Sequence, residues 1–563
     1  MEKAELVAKQ IVEIANTLDD LDEQKLNTIK KKVAKEHHFK DILTNIQILT
    51  HIDNKDMQKY KFLITKPTRT ISGVAVIAIM AMPLNCPHGR CTYCPGGLNS
   101  YFGSVPQSYT GKEPATMRAI RNSYDPYLQI MNRLEQYVII GQVPEKVELI
   151  LMGGTFPAYP KKYRDEFIYQ CFKAMNDFSR LFYQDTLNIT AFKEFFELPG
   201  NVDNKERTEK INKKLLEIKN ENSKTLQEEQ TINETSKIKC IGLTIETKPD
   251  WGKDKIGSEL LEYGCTRIEL GIQTVYDEVL EQIHRGHTIQ DTIDSVRMLK
   301  DLGFKLNFHM MPGLPGISKE KDIAGLKEIF NNPNYRPDML KVYPTMVFPG
   351  TPLQKDFEDG KFIPLTTEQA ADIITEFKQI VPRYCRIMRV QRDIPTILGK
   401  GVTRNNLRQY IEQLMKEKGY TCNCIRCREI KQNKIQGNPE FEIIEYNASE
   451  GKEFFISLKD DNDKLLGFCR LRFPSELLRK EITNDSALIR ELHVYGSAVS
   501  VGKKESEKAQ HKGFGTQLME KAEEIAKQHK KNKMIVISGV GVRGYYRKLG
   551  YALEGPYMVK ALN

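Results

Sequence analysis

Val74-Ala75-Val76-Ile77-Ala78-Ile79-Met80-Ala81-Met82 runs on into Cys86-Pro87-His88-Gly89-Arg90-Cys91-Thr92-Tyr93-Cys94. A short apolar run ending in a proline- and glycine-rich loop reads as a buried strand, and three cysteines stand at its C-terminal end. Runs of the same kind follow at 147–152, 238–245, 267–272, 306–311 and 339–343, with helical patterns between most of them. Repeated β-then-α predicts a parallel sheet. Six such units predict an α/β fold, a partial (β/α)6 barrel whose working groups sit at the C-terminal ends of the strands.

The rest of the chain arranges itself around this barrel, expected over 71–380. Residues 1–70 have apolar positions at helical spacing (Leu6, Ile11, Ile14, Leu18, Leu21) and read as a helical basic segment. Residues 195–237, almost entirely polar from Asn201 on, read as a surface excursion of the barrel, partly helical and partly disordered. An arginine- and cysteine-rich connector occupies 381–438, and 439–563 alternates strands with one glycine-started helix, a second α/β domain.

Of the 563 residues, 40% are apolar and 28% charged, the balance of a folded, water-soluble chain. No apolar run approaches the roughly 20 residues of a membrane helix. The N-terminus carries no apolar signal core, so a cytoplasmic location is expected. The eleven cysteines then read as metal ligands or core thiols rather than disulfides. Net charge is +10, and residues 25–69 hold eleven basic residues against four acids, compatible with a polyanionic partner.

Cys86, Cys91 and Cys94 can hold three irons of a cubane cluster and leave the fourth iron open. A closed zinc site would need a fourth local ligand, and only His88 offers one. Cys422, Cys424 and Cys427 form a second triad with no strand before it. Structural zinc suits it, with Cys385 as candidate fourth ligand, or else His284, His287 or His309. Cys171, Cys240, Cys265 and Cys469 read as core thiols. At the start of the late helix, Gln510-His511-Lys512-Gly513-Phe514-Gly515-Thr516 bares backbone N–H groups that suit a pyrophosphate.

The first cysteine motif, with an aromatic residue between its last two cysteines, resembles the radical S-adenosylmethionine (SAM) superfamily, although its spacing is C-x4-C-x2-C rather than the commoner C-x3-C-x2-C. The resemblance implies a 4Fe-4S cluster, SAM bound at its open iron, and a 5′-deoxyadenosyl radical. Gly153 and Gly154, in Met152-Gly153-Gly154-Thr155-Phe156, resemble its glycine motif for the methionyl group, and Met311-Pro312-Gly313-Leu314-Pro315-Gly316 resembles its adenine-side segment. Glu246, Glu269 and Gln273 are candidates to hold ribose or position substrate. The Gln510–Thr516 motif resembles the GNAT acetyltransferases, which implies acetyl-CoA on Gly513, Phe514, Gly515 and Thr516, beside the strand Glu491-Leu492-His493-Val494, with Tyr546 as general acid.

Both modules together, with strings such as Gln107-Ser108-Tyr109-Thr110-Gly111 and Tyr124-Asp125-Pro126-Tyr127, resemble the Elongator catalytic-subunit family in its single-chain archaeal form. That resemblance implies conversion of wobble uridine in tRNA to 5-carboxymethyluridine, with Lys146 linked to acetyl-CoA. It also implies a tRNA anticodon stem-loop and a reductant as partners, and is compatible with a homodimer. The basic 25–69 stretch and Arg383, Arg386, Arg389, Arg392, Arg404 and Arg408 are then expected at phosphates. The competing expectation is a protein lysine acetyltransferase with a purely structural iron-sulfur cluster.

Overall fold

The computed structural model describes residues 2–39, 42–52, 56, 59–63, 73–198, 204–221, 224–496 and 513–562. The chain divides into two compact units, one comprising residues 1–77, 126–147 and 167–240, the other 78–125, 148–166 and 241–563.

In the first unit, α1 (Glu2–Asn16) and α2 (Glu23–Glu36) bury Val7, Ile11 and Ala15 with Leu26, Ile29 and Val33. Asp22 caps α2 by accepting from Lys25 N at 2.7 Å. Lys30, expected at a phosphate, is instead 2% exposed and donates to Asn45 Oδ1 at 2.6 Å, while Lys31, Lys32 and Lys35 are exposed. Lys66 and Arg69 lie outside the described residues.

The polar insertion packs more than its composition suggests. Its helices α3 (Lys205–Lys219) and α4 (Leu226–Thr235) bury Ile211 and Leu215. They are fastened by polar contacts: Arg207 to Glu135 at 2.6 Å, Asn176 Nδ2 to Glu229 Oε2 at 2.6 Å, and Asn233 Nδ2 to Asn176 Oδ1 at 2.8 Å. Buried, fully paired polar groups stand in for the missing apolar residues. Residues 199–203 and 222–223 of the insertion lie outside the described residues.

The barrel sheet has seven strands: β1 (Val74–Met80), β2 (Lys146–Met152), β3 (Lys239–Thr247), β4 (Cys265–Gln273), β5 (Lys305–Met310), β6 (Met339–Val342) and β7 (Arg386–Arg389), in that order. From β3 to β7 each pairs in parallel with the next. The six expected strands are present. The seventh comes from the segment read as connector, because β6 leaves a free edge that Arg386–Arg389 can pair with.

The second domain's sheet contains β8 (Glu440–Ala448), β9 (Gly451–Lys459), β10 (Leu465–Phe473), β11 (Ser486–Val494), β12 (Lys533–Val536), β13 (Ala552–Glu554) and β14 (Tyr557–Ala561), ordered β8-β9-β10-β11-β12-β14-β13. Only β11 and β12 pair in parallel, and their pairing ends at Ile489 and Val536. Past that point the strands part and leave 490–494 open on one side. Helix α5 (Phe514–Gln528) packs on this sheet through Phe514, Leu518, Met519 and Ala522.

The second domain meets the barrel through charge. Arg470, Arg472 and Arg490 are all 0% exposed. Arg490 chelates Asp338 at 2.6 and 2.8 Å and reaches Glu453 at 2.9 Å, Arg472 pairs with Asp301 at 2.5 Å and Glu453 at 3.0 Å, and Arg470 pairs with Glu491 at 2.9 Å. A register shift between β10 and β11 releases Arg490 from the ladder to make this contact. Buried ions are tolerable only when paired in this way. Backbones also touch: a Cβ on Gly539 would lie 2.1 Å from the Ile241 carbonyl oxygen of β3. Gly539→Ala is expected to lower stability by about 1–3 kcal/mol through overpacking. Gly544→Ala, whose Cβ would meet nothing within 4 Å, should be nearly neutral when both are compared by urea unfolding.

Candidate active site

Cys86, Cys91 and Cys94 sit on the loop that leaves β1. Gly96 holds the loop close to its neighbour, since a Cβ there would stand 2.2 Å from the Pro106 carbonyl oxygen. Cys94 Sγ contacts Gln107 Oε1 at 3.1 Å and accepts from Ser108 N at 3.2 Å. Cys91 Sγ faces His88 Nε2 at 3.3 Å and Arg285 Nη1 at 3.7 Å, and His88 Nδ1 lies 3.1 Å from Lys248 Nζ. Burial pushes the Cys86 thiol up to about 12 and also raises Cys94. A metal centre would supply the charge that keeps such thiols ionised, and Arg285 and Lys248 already stand beside them. Among the described residues, the cysteines whose sulfurs all approach within 4.8 Å of one another are Cys422, Cys424 and Cys427. That compactness suits one tetrahedral ion. The wider first triad suits a cubane, which takes each thiolate on a different iron.

Gly153 and Gly154 follow β2 with φ of +126° and +96°, and a Cβ on Gly154 would press Gln107 Cβ at 3.2 Å. Gly153 N donates to Glu246 Oε2 at 3.4 Å, and Tyr109 donates to the same carboxylate at 3.0 Å. Gly313 N, in the 311–316 segment, donates to Asp322 Oδ2 at 2.7 Å, and Met311 N donates to the Gln273 carbonyl at 2.8 Å. These contacts gather both glycine-rich segments, Glu246 and Gln273 at the strand ends around the cysteine loop.

Below them the barrel interior is polar. Glu269 accepts from His309 Nε2 at 2.8 Å, from Asn307 Nδ2 at 3.2 Å and from Lys341 Nζ. It is therefore occupied by protein donors rather than free to grip a ribose. Arg267 lies 3.8 Å from Glu269 and 2.6 Å from Glu148. Burial works against the Arg267 charge, but Glu148, Glu269 and Glu491 together raise its pKa. The interior thus passes from Glu246 through Glu269 and Arg267 to Glu491 on β11 of the second domain.

There the parted strands leave Leu492, His493 and Val494 half-buried, while Glu491 is buried against Arg470, and the His493 ring stacks on Phe468 at 5.8 Å. Gly513, at φ +71°, precedes α5, and a Cβ on Gly515 would sit 2.7 Å from the Tyr545 hydroxyl, which also meets Thr516. Tyr546 is 6% exposed within the core cluster of this domain, so it is Tyr545 that reaches the helix start. Gln510 lies outside the described residues. Lys146 is exposed and opens β2 at the end away from Gly153.

Family models match across this architecture: the Radical SAM superfamily over residues 82–326, the Radical_SAM C-terminal domain over 337–417, and the Acetyltransferase (GNAT) family over 426–551. The chain is 42% identical over 577 residues to a tRNA uridine(34) acetyltransferase of Methanocaldococcus jannaschii, covering 100% of this chain and 99% of that protein. It is 40% identical over 574 residues to human Elongator complex protein 3, covering 99% and 96%. The chain belongs to the Elongator complex protein 3 family. Its structure is similar to that of the archaeal Methanocaldococcus infernus Elp3 with an N-terminal deletion, with TM-score 0.70, 37% identity, and coverage of 88% of this chain and 100% of that one.

Membership in the Elongator complex protein 3 family makes the chain an enzyme with a radical-SAM module, which implies SAM and a 4Fe-4S cluster, and a GNAT module, which implies acetyl-CoA. Two expectations need correction. Cys385 is not in the Cys422, Cys424 and Cys427 group; its thiol lies near Arg470, Cys424 and Asp338, and its carbonyl accepts from Ile425 N at 3.0 Å. His284, His287 and His309 are outside that group as well. Most of the arginines expected at phosphates are engaged internally: Arg383 with Glu442 at 3.0 Å, Arg386 with Glu429 at 2.8 Å, Arg389 with Asp393, Arg392 with the Ser108 carbonyl, and Arg408 with the Ile387 carbonyl at 3.4 Å. Arg404 is exposed, its guanidinium lying over the Tyr410 ring. Sequence reasoning missed Arg285 and Lys248, which stand in loops, and Lys341, an ordinary strand residue, and it chose Tyr546 over its neighbour Tyr545.

Proposed function

We propose that this chain modifies the wobble uridine of tRNA to 5-carboxymethyluridine, joining the methyl carbon of the acetyl group to uracil C5 in place of the C5 hydrogen, with hydrolysis of the thioester releasing CoA. The relatives named tRNA uridine(34) acetyltransferase supply the substrate class. The observation that carries the reading is the polar interior running from the cysteine loop to Glu491, because a single reaction needs both modules to reach one place.

Cys86, Cys91 and Cys94 would hold the cluster, and Gly153 and Gly154 the methionyl end of SAM. When bound, the cluster and SAM would supply a primary carbon radical able to take hydrogen from the acetyl methyl. Gly513, Phe514, Gly515 and Thr516 would bind the CoA pyrophosphate through helix N–H groups. The parted edge at 491–494 would pair with the pantetheine amides, and Lys146 would hold the acyl-CoA. Tyr545, with Tyr546 behind it, would face the thioester end. Cys422, Cys424 and Cys427 would bind structural zinc. Exposed Lys31, Lys32 and Lys35 would contact tRNA phosphates, and the uridine would leave its stack to enter the barrel. A cytoplasmic setting, where tRNA and reductant are both present, suits this chemistry.

The test is anaerobic incubation with reductant, SAM, acetyl-CoA and tRNA, followed by nucleoside mass spectrometry. A uridine heavier by a carboxymethyl group supports the reading. Acetylated lysine with unmodified tRNA would favour a protein acetyltransferase instead.

A further inference from the structure

The roles above leave one buried cluster unused. In a closed barrel this layer is filled by branched apolar side chains, whereas here β4, β5 and β6 set Glu269, Asn307, His309 and Lys341 side by side. Glu269 is 1% exposed, and its oxygens are engaged by Asn307, His309 and Lys341. The Lys341 side chain is 11% exposed, and its ammonium makes that one hydrogen bond among the described residues, leaving two N–H donors. Burial opposes the Lys341 charge, but the adjoining Glu269 raises its pKa, so it stays an ammonium. Burial, followed by the charge of Lys341, pushes His309 down to about 4, leaving a neutral ring that donates from Nε2 to Glu269.

The surrounding charge says what those free donors can take. Glu246, Glu269 and Glu148 are set against Lys341, Arg267 and Arg392, while Arg389 is paired with Asp393. Carboxylates and cations already balance, so an added phosphate or carboxylate would find no uncompensated cation. A neutral carbonyl oxygen needs none, and it would accept from a charged donor in a site largely closed to water. We propose that Lys341, aimed by Glu269 and flanked by His309, binds a carbonyl oxygen of the reacting pair, either uracil O4 or the acetyl thioester carbonyl. Lys341 is then a substrate-contacting residue, and Glu269 and His309 are positioning residues. The inference rests on the carboxymethylation reading above.

The experiment uses the full chain with its cluster reconstituted, reductant, SAM, tRNA and acetyl-CoA deuterated on the methyl group. It reads both deuterium in 5′-deoxyadenosine and modified nucleoside. Lys341→Met is expected to lose about 10- to 100-fold in nucleoside formation, the worth of one charge-assisted hydrogen bond, with Lys341→Arg recovering part of it. If deuterium transfer falls in step, the thioester carbonyl is the ligand; if transfer continues while nucleoside is lost, it is uracil O4. Lys341→Met forming nucleoside at the wild-type rate, with iron content and melting unchanged, overturns the inference. Should that variant fail to fold, Glu269→Gln carries the test, since it keeps the shape and removes the charge that aims Lys341. Wild-type nucleoside yield in Glu269→Gln overturns the inference equally. Wild-type protein that transfers no deuterium and modifies no tRNA refutes the underlying reading instead.

Discussion

Cys91→Ala is expected to reduce tRNA modification to background while the chain still folds. Cys91 is one of the three thiolates proposed to hold the cluster, is 5% exposed, and is the sulfur that Arg285 and His88 face. Without it a cubane loses one of its three protein ligands, and Arg285 loses its sulfur partner while keeping the Gly271 carbonyl at 2.7 Å. Iron per chain and nucleoside yield should fall together. CoA affinity, which depends on the second domain, should stay close to wild type when followed by calorimetry. Full nucleoside yield from an iron-depleted Cys91→Ala protein would falsify the radical route.

The largest effect on stability is expected at Arg490. Its guanidinium holds Asp338 and Glu453 together where none of the three is exposed to solvent. Arg490→Met removes the cation and leaves two carboxylates buried, with Arg470 and Arg472 as their remaining partners. Breaking a buried pair from one side costs about 3–5 kcal/mol. Adding Asp338→Leu should restore part of the loss, because the uncompensated charge goes with it; a double-mutant cycle reads that coupling. A loss below about 1 kcal/mol for Arg490→Met would mean that water reaches the interface and that the charges are not the fastening described.

Much of the architecture was legible in the sequence because its signals are local. Apolar runs marked six barrel strands, cysteine spacing marked two thiol clusters, and Gly513 and Gly515 marked the start of α5. What stayed hidden depends on partners remote in the chain. Leu465-Leu466-Gly467-Phe468-Cys469-Arg470-Leu471-Arg472-Phe473 alternates like a strand with one wet face, yet the arginine face lies against Asp301 and Asp338 of the barrel. Arg386–Arg389 is four residues with charged ends, too short and too polar to announce a strand. Its arginines look suited to phosphate until Glu429 and Asp393 are seen beside them. Lys341 and His309 read as unremarkable strand residues because Glu269, which joins them, is 72 and 40 positions away.

On the proposed reading, one chain brings an acetyl-CoA carbon to C5 of a tRNA uridine. The most direct measurement is the mass of the modified nucleoside formed from acetyl-CoA carrying heavy carbon at both acetyl positions. Both heavy carbons are expected in a carboxymethyl group at position 34 of the tRNA. Unmodified or unlabelled uridine, with the heavy acetyl group found intact on protein lysines, would contradict it.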